Sequence, residues 1–261
     1  MTFSTLELER RGVASWVWMN RADRHNAFDD ELIAELTAAL ASLQADPGVR
    51  AVILAGRGKS FSAGADMDWM RRQGSAAASE NLAGARRTAE LFRTLDELRV
   101  PTIARVHGAA IGGGMGLAAA CDICVASTQA SFATPEVRLG LIPAVISPYV
   151  LRAIGARQAG RYFVTGERLS AERARELGLV HEVTAPDHLD TCIQGLVDAL
   201  AMGGPMAQAN ASALIGSVAN RPLTSGLIEE TANRIAGCRA SPEAREGLAA
   251  FLEKRPPAWQ R

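Results

Sequence analysis

Two glycine-bearing stretches hold the residue types that could do chemistry. Residues 108–122 read GAAIGGGMGLAAACD, with Gly112, Gly113 and Gly114 lying between an apolar strand and a small-residue helix. Residues 61–67 read FSAGADM, a second small-residue loop after a buried strand. Without a Cβ, a glycine presents its N–H to a ligand at close range. At a helix start that N–H is also unpaired and sits at the positive end of the helix dipole. Such groups either bind a phosphate or stabilise an oxyanion.

The phosphate readings fit poorly. No Lys-Ser or Lys-Thr follows the glycines, so the phosphate-loop pattern fails. Gly114, Gly116 and Ala119 satisfy G-x-G-x-x-A, and Glu136 lies twenty residues past Gly116, as a dinucleotide fingerprint asks. The next strand begins by Ile123, however, leaving about two turns for a helix that should be longer. A hydrolase elbow, G-x-S-x-G, is absent. His107 is the histidine nearest the glycines, and a packed structural role suits it. Cys121 and Cys124 form C-x-x-C inside CDICVAS, the start of a buried strand, and read as packed thiols. Cys192 and Cys238 supply no second pair for zinc, so no metal site is expected. The oxyanion reading uses more of the chain: Ala65 and Gly113 would offer two N–H groups, each worth roughly 3 kcal/mol when charge develops on the oxygen.

Elements must bring those two loops together. Residues 13–19 (VASWVWM) read as a strand. Asp29 caps a helix whose Leu32, Ile33, Leu36, Leu40 and Leu43 keep helical spacing until Asp46-Pro47-Gly48. A buried strand follows over Arg50–Ala55, and strand–helix–strand in this order makes a right-handed crossover with a parallel pair. A polar, alanine-rich helix is expected over 79–98, strands over 100–106, 123–126 and 131–133, and a helix capped by Ser170 and closed by Gly178 before a strand over 180–183. In a parallel sheet, loops after the strands gather where ligands bind. From about residue 206 only helices are expected, over 207–220, 223–239 and 241–254, the last with Pro242 at its first position. The expected organisation is an α/β core over 1–205 and a helical region over 206–261.

Bulk composition narrows the class. The 261 residues are 48% hydrophobic, with 28 basic and 28 acidic residues, ample for a core and balanced in charge. No basic block suggests nucleic acid or a membrane surface. The N-terminus lacks the basic-then-apolar order of a secretion signal, and no apolar run nears the ~20 residues that span a bilayer. A cytoplasmic protein is expected.

The motifs FSAGADMDWM, VHGAAIGGGMGLAAACDICVAS and FATPEVRLGLIP, in this order and spacing, resemble the enoyl-CoA hydratase/isomerase (crotonase) superfamily. NRADRHNAF, TGERLSAERARELGLVHEV and EGLAAFLEKRPPAW match it too, so the resemblance covers nearly the whole chain. It implies a spiral of ββα units with a C-terminal helical part that drives trimers, often paired into hexamers. It implies an acyl-CoA thioester substrate, with coenzyme A as part of the substrate and no separate cofactor. Carried over, the N–H groups of Ala65 and Gly113 hold the thioester oxygen. Arg24 and Ala27 lie near the coenzyme A phosphates, and Ala63, Ala65, Asp66, Met67 and Asp68 line the site from the AGAD loop onward.

Family hydratases usually supply two glutamates. One corresponds to Glu136; the other would fall at Gly116, where this chain has none. Hydration would then need one carboxylate that both activates water and returns the proton, or a substitute such as Asp68, which is expected to face solvent. A glutamate at the Glu136 position alone serves family members that move the double bond, so a Δ3,Δ2-enoyl-CoA isomerase stays open. So does a catalytically silent acyl-CoA-binding protein. GGGMGL, GLIPAVISPYVLRAIG and AFLEKRPPAW look most like the methylglutaconyl-CoA hydratase type of leucine and isoprenoid degradation. Its dicarboxylic acyl group would want a cation, for which Arg138, Arg71 or Arg72 are the candidates.

Overall fold

The structure is a computed structural model describing residues 2–260. The chain opens with an antiparallel hairpin, β1 (Leu6–Arg11) and β2 (Ala14–Met19), turned at Gly12 with φ +57. β1 is the solvent-exposed edge of its sheet: Leu6 is buried, while Glu7 and Leu8 are exposed. The side chain of Asp29 accepts from Leu32 N–H at 2.9 Å and starts α1 (Asp30–Ala45), which delivers β3 (Ala51–Gly56) parallel to β2. After a loop come α2 (Met67–Ser75), α3 (Ala78–Asp96) and β4 (Thr102–Val106). Then β5 (Ala109–Ile111), α4 (Gly113–Ala120), β6 (Ile123–Ser127) and β7 (Ser131–Ala133) follow in quick succession. Next come α5 (Ser147–Thr165), which bends at Gly155, β8 (Leu169–Ser170), α6 (Ala171–Glu176), β9 (Glu182–Thr184) and α7 (Leu189–Met202). Three helices close the chain: α8 (Pro205–Val218), α9 (Ser225–Ala240) and α10 (Pro242–Leu252).

The strands form two sheets. One has six strands in the order β1-β2-β3-β4-β6-β9, parallel apart from β1; the other has three, β5-β7-β8. The inner strands β2, β3, β4 and β6 of the larger sheet are buried on both faces, as parallel strands usually are. Val52 and Leu54 of β3 join the core under α1, α3 and α4, while Ala51, Ile53 and Ala55 face Leu189, Ile193 and Val197 of α7. Strand-helix units thus wind around a mixed α/β core, and no helix among the described residues is long and apolar enough to cross a membrane.

The helix expected over 79–98 is α3 (Ala78–Asp96); α2, capped by Asp66, precedes it unexpectedly, with Ala76 and Ala77 extended between the two. The strand expected over 180–183 begins at Glu182, because Leu179 and Val180 donate to Ala174 O and so close α6. The helices α5 and α7 were not expected; α7 covers the Trp16–Trp18 face of the sheet.

Arg50, just before β3, ties the core to the C-terminal helices. Its guanidinium donates to Gly203 O at 2.6 Å and Gln208 Oε1 at 3.2 Å, and approaches Trp259 O at 3.5 Å. Removing it leaves these part-buried acceptors without a charged donor. Arg50→Ala is expected to lower unfolding free energy by about 2–3 kcal/mol, read as a lower urea midpoint; an unchanged midpoint would contradict this role.

Candidate active site

The smaller sheet builds the site. β5 runs parallel to β7 with Ile111 opposite Ala133, and Gly112 N–H donates to Ala133 O at 2.8 Å. The chain past β5 therefore starts α4 at Gly113 beside the chain past β7. There Pro135 opens a 3-10 turn (Pro135–Leu139) that carries Glu136, and Gly140 closes it at φ +71. On the other flank of β5, Ser62 bridges Ala110, donating to Ala109 O at 3.0 Å and accepting from Ile111 N–H at 2.9 Å. Two residues later Gly64 takes φ +83, and Ala65 bridges Phe28. Phe28 N–H donates to Gly64 O at 2.6 Å, and Asp66 N–H donates to Phe28 O at 2.8 Å.

These ladders leave two donors over. Among the described residues, neither Ala65 N–H nor Gly113 N–H donates to a protein group. A Cβ on Gly64 would lie 2.6 Å from Ile111 O and 3.3 Å from Gly113 N, so loop and helix start touch backbone to backbone. Ala65 precedes the Asp66 cap of α2, and Gly113 opens α4, so both donors stand at positive helix ends.

Glu136 stands beside them. A Cβ on Gly112 would lie 2.9 Å from its Oε1, and its Oε2 is buried without a hydrogen-bond partner. Burial pushes its pKa above the usual carboxylate range, with its own backbone N–H pulling weakly the other way. Ala65, Gly113 and Glu136 line one cavity of about 500 Å³, the size of a small-molecule site. Its walls include Phe28, Trp69, Met70, Phe92 and residues 140–146. A larger cavity of about 690 Å³, between Asp122 and Arg152, holds none of the three.

The other expected substrate residues lie outside this cavity. Arg24 and Asp68 approach to 3.8 Å, joining the Arg24–Ala27 loop to the start of α2. Ala63, Met67 and Asp68 are exposed there, and Asp68 also pairs with Arg71 at 3.1 Å. Asp66 and Ala27 are buried, so their side chains are turned inward. Burial would raise the Asp66 pKa, but the N–H groups of Trp69 and Asp68, helped by Arg21 and Arg24, hold it below its ordinary value. None of Arg71, Arg72 and Arg138 lines the cavity; Arg138 packs against Gly166.

Gly116 explains the missing second glutamate in physical terms. A Cβ there would lie 2.3 Å from Ile146 Cγ2 and 3.0 Å from Phe92 Cε1. Apolar side chains fill the space a carboxylate would need. His107 is half-buried and hydrogen-bonds Gly58 O at 3.0 Å, away from the cavity. Cys121 and Cys124 are buried, which raises the first thiol and pushes the second up to about 12.

Sequence reasoning missed the residues that hold the first loop. Asn26 is fully buried at φ +53, and its Nδ2 donates to Arg57 O, Ser60 O and Phe61 O while its Oδ1 accepts from Arg21 N–H. An asparagine tolerates that backbone conformation, a signal present in NRADRHNAF.

The chain has relatives among known proteins. The family model described as enoyl-CoA hydratase/isomerase matches residues 9–261. A Thermus thermophilus relative is 36% identical over 250 residues, 95% of this chain and 98% of its own. The crotonyl-CoA hydratase of Syntrophomonas wolfei is 30% identical over 257 residues, 98% of this chain and 97% of its own. The crystal structure of an enoyl-CoA hydratase from Shewanella pealeana superimposes with a TM-score of 0.96 at 42% identity, covering 98% of this chain and 96% of that one. The chain belongs to the enoyl-CoA hydratase/isomerase family.

Restoring a carboxylate at Gly116 should therefore disrupt packing before it helps chemistry. Gly116→Glu is expected to destabilise the fold by about 3 kcal/mol or more, since it overfills the core and buries a charge; Gly116→Glu with Ile146→Ala should recover part of this. Thermal unfolding checks it, and a Gly116→Glu melting temperature equal to that of the parent would contradict it.

Proposed function

We propose that this chain adds water across the double bond of an α,β-unsaturated acyl-CoA thioester. The observation that carries the reading is that two uncommitted N–H groups and an unpaired buried carboxyl line one cavity. In the reaction, the thioester oxygen lies between Ala65 N–H and Gly113 N–H. The ionised Glu136 takes a proton from water as the hydroxyl oxygen bonds to Cβ, the electron pair of the double bond moves toward the thioester, and an enolate forms. The two N–H dipoles stabilise the negative oxygen without reorganising. Glu136 then returns the proton to Cα, and the carboxylate is regenerated. One acid suffices because water donates the proton that Cα receives.

The exposed shoulder supports the rest of the ligand in this reading. Arg24 offers a cation to the coenzyme A phosphates, and the backbone of 63–68 a surface to the adenine. Exposed apolar side chains on the C-terminal helices, Phe251 at 80% and Leu252 at 79% among them, support assembly into a trimer, which light scattering would read. A second reading, double-bond isomerisation, is favoured by one observation: the Gly116 slot is filled by Ile146 and Phe92. Glu136 would then carry a proton from one carbon to another, with no water added. A distal carboxylate, as in methylglutaconyl-CoA, gains no support from the cavity, whose lining contains no Arg, Lys or His among the described residues.

Following the enone absorbance of crotonyl-CoA separates the readings. Hydration bleaches it, whereas isomerisation of a 3-enoyl-CoA creates it. Glu136→Gln is expected to cut turnover about a hundred- to ten-thousand-fold while acyl-CoA still binds. Activity should rise with pH through the elevated pKa of Glu136, so the acid limb lies above the usual carboxylate range. Stability runs the opposite way: the folded state holds this proton more tightly than the unfolded chain, so ionisation weakens the fold as pH rises from the ordinary glutamate value through the raised one. Glu136→Gln should be at least as stable as the parent at pH 7, and retained turnover in it would refute the assignment.

A further inference from the structure

The segment that carries Ala65 N–H is held to residues 25–28 by a short ladder. Ala63 N–H donates to His25 O at 2.9 Å, Phe28 N–H to Gly64 O, and Asp66 N–H to Phe28 O. The last two bonds frame Ala65. Beyond them both segments turn into helices, with Asp29 capping α1 and Asp66 capping α2. The ladder therefore ends between two carboxylates. Arg21 reaches both: its Nη2 is 2.8 Å from Asp29 Oδ2 and 3.5 Å from Asp66 Oδ2, while Nη1 donates to Ala27 O. Each carboxylate gives its other oxygen to its helix. Asp29 Oδ1 accepts from Leu32 N–H, and Asp66 Oδ1 accepts from Asp68 N–H at 3.0 Å and Trp69 N–H at 3.1 Å. The side chains of Arg21, Asp29 and Asp66 are 17%, 19% and 11% exposed, so water screens them weakly. Among the described residues no other cation pairs with either acid. Arg21 is itself anchored, because its N–H donates to Asn26 Oδ1 and its carbonyl accepts from the N–H groups of Arg24 and Asn26.

We infer that Arg21 is a positioning residue for the oxyanion hole, holding the segment that presents Ala65 N–H by tying the Asp29 and Asp66 carboxylates to one guanidinium. A planar fork with five N–H donors can serve three acceptors at once. Without its charge, two carboxylates lie side by side with little solvent between them. Their repulsion is relieved by moving the start of α2 away from Phe28, and Ala65 immediately precedes that start. A donor displaced by about 1 Å loses most of its hold on the developing charge. Arg24 does not replace Arg21, since it is half-exposed and lies near Asp23 and Asp68.

This inference rests on the reading in which Ala65 N–H holds the thioester oxygen, and two measurements keep them apart. The first is hydrogen exchange of the free protein, followed by mass spectrometry. In Arg21→Met, residues 63–69 are expected to exchange about tenfold or more faster, while residues 109–120 keep the parent rate. Adding Asp29→Asn, which removes one charge and keeps the cap, should bring 63–69 back toward the parent. Arg21→Lys, with a charge but no fork, should fall between. The second is the infrared carbonyl stretch of bound butanoyl-CoA labelled with 13C at the thioester carbon. The parent should lower this frequency relative to the ligand in water, and Arg21→Met should lose part of the shift. In parallel, kcat for crotonyl-CoA should fall about ten- to a hundredfold with KM nearly unchanged, as for an interaction made in the transition state. Exchange unchanged at 63–69, or raised equally at 109–120, would overturn the inference, as would no relief from Asp29→Asn. A shifted parent carbonyl that stays unchanged in Arg21→Met also sinks the inference and leaves the oxyanion reading standing. An unshifted carbonyl in the parent sinks the oxyanion reading, and the exchange result then decides the clamp alone.

Discussion

The site depends on backbone meeting backbone at a separation no side chain allows. Gly64 presses on Ile111 O and approaches Gly113 N, and Gly114 lies where a Cβ would be 2.4 Å from Ser62 O. This contact lets residues 62–65 run alongside β5 and then leave it. At the departure point Ala65 has lost its place in the ladder and Gly113 has just begun a helix, so neither N–H has an internal partner. Two adjacent donors follow from the geometry of leaving a sheet and entering a helix. They need no dedicated side chain, and they stay fixed because the ladders on both sides are complete.

Glu136 adds the opposite requirement. In the proposed reaction a proton carrier must sit beside the same cavity yet accept a proton readily, and burial of Glu136 without a charged partner suits both. The rest of the wall keeps that setting apolar: Ile146 and Phe92 close the space at Gly116, and Phe28 packs where a Cβ on Gly113 would lie 2.6 Å from its Cε2. Apolar walls lower the local polarisability, which strengthens the pull of the two N–H dipoles on a developing charge. The same walls raise the free energy of the ionised acid, so the burial that would tune Glu136 for the proposed proton transfer weakens the fold.

Much of this was legible in the sequence because it is local. Asp29 and Ser170 announce helix starts through side chains that accept from the first turn, and each does so in the structure. The glycine run of 112–114 and the AGAD loop announce close approach, and both end at the cavity. What was not legible is long-range. β1 hid because alternation in a short charged segment reads equally as a solvated tail. α2 hid because its cap, Asp66, lies inside the loop that was read for chemistry. The Ile146 side chain that excludes a carboxylate at Gly116 comes from thirty residues along the chain, and no local pattern reports such a contact.

A crystal structure of the protein with butanoyl-CoA, a saturated and unreactive chain, tests the central claim most directly. The account predicts the thioester oxygen at about 3 Å from both the Ala65 and the Gly113 nitrogens, with the Glu136 carboxyl facing Cα and Cβ. An oxygen held by one of these nitrogens or neither, or an acyl chain lodged in the larger cavity near Asp122, would contradict it.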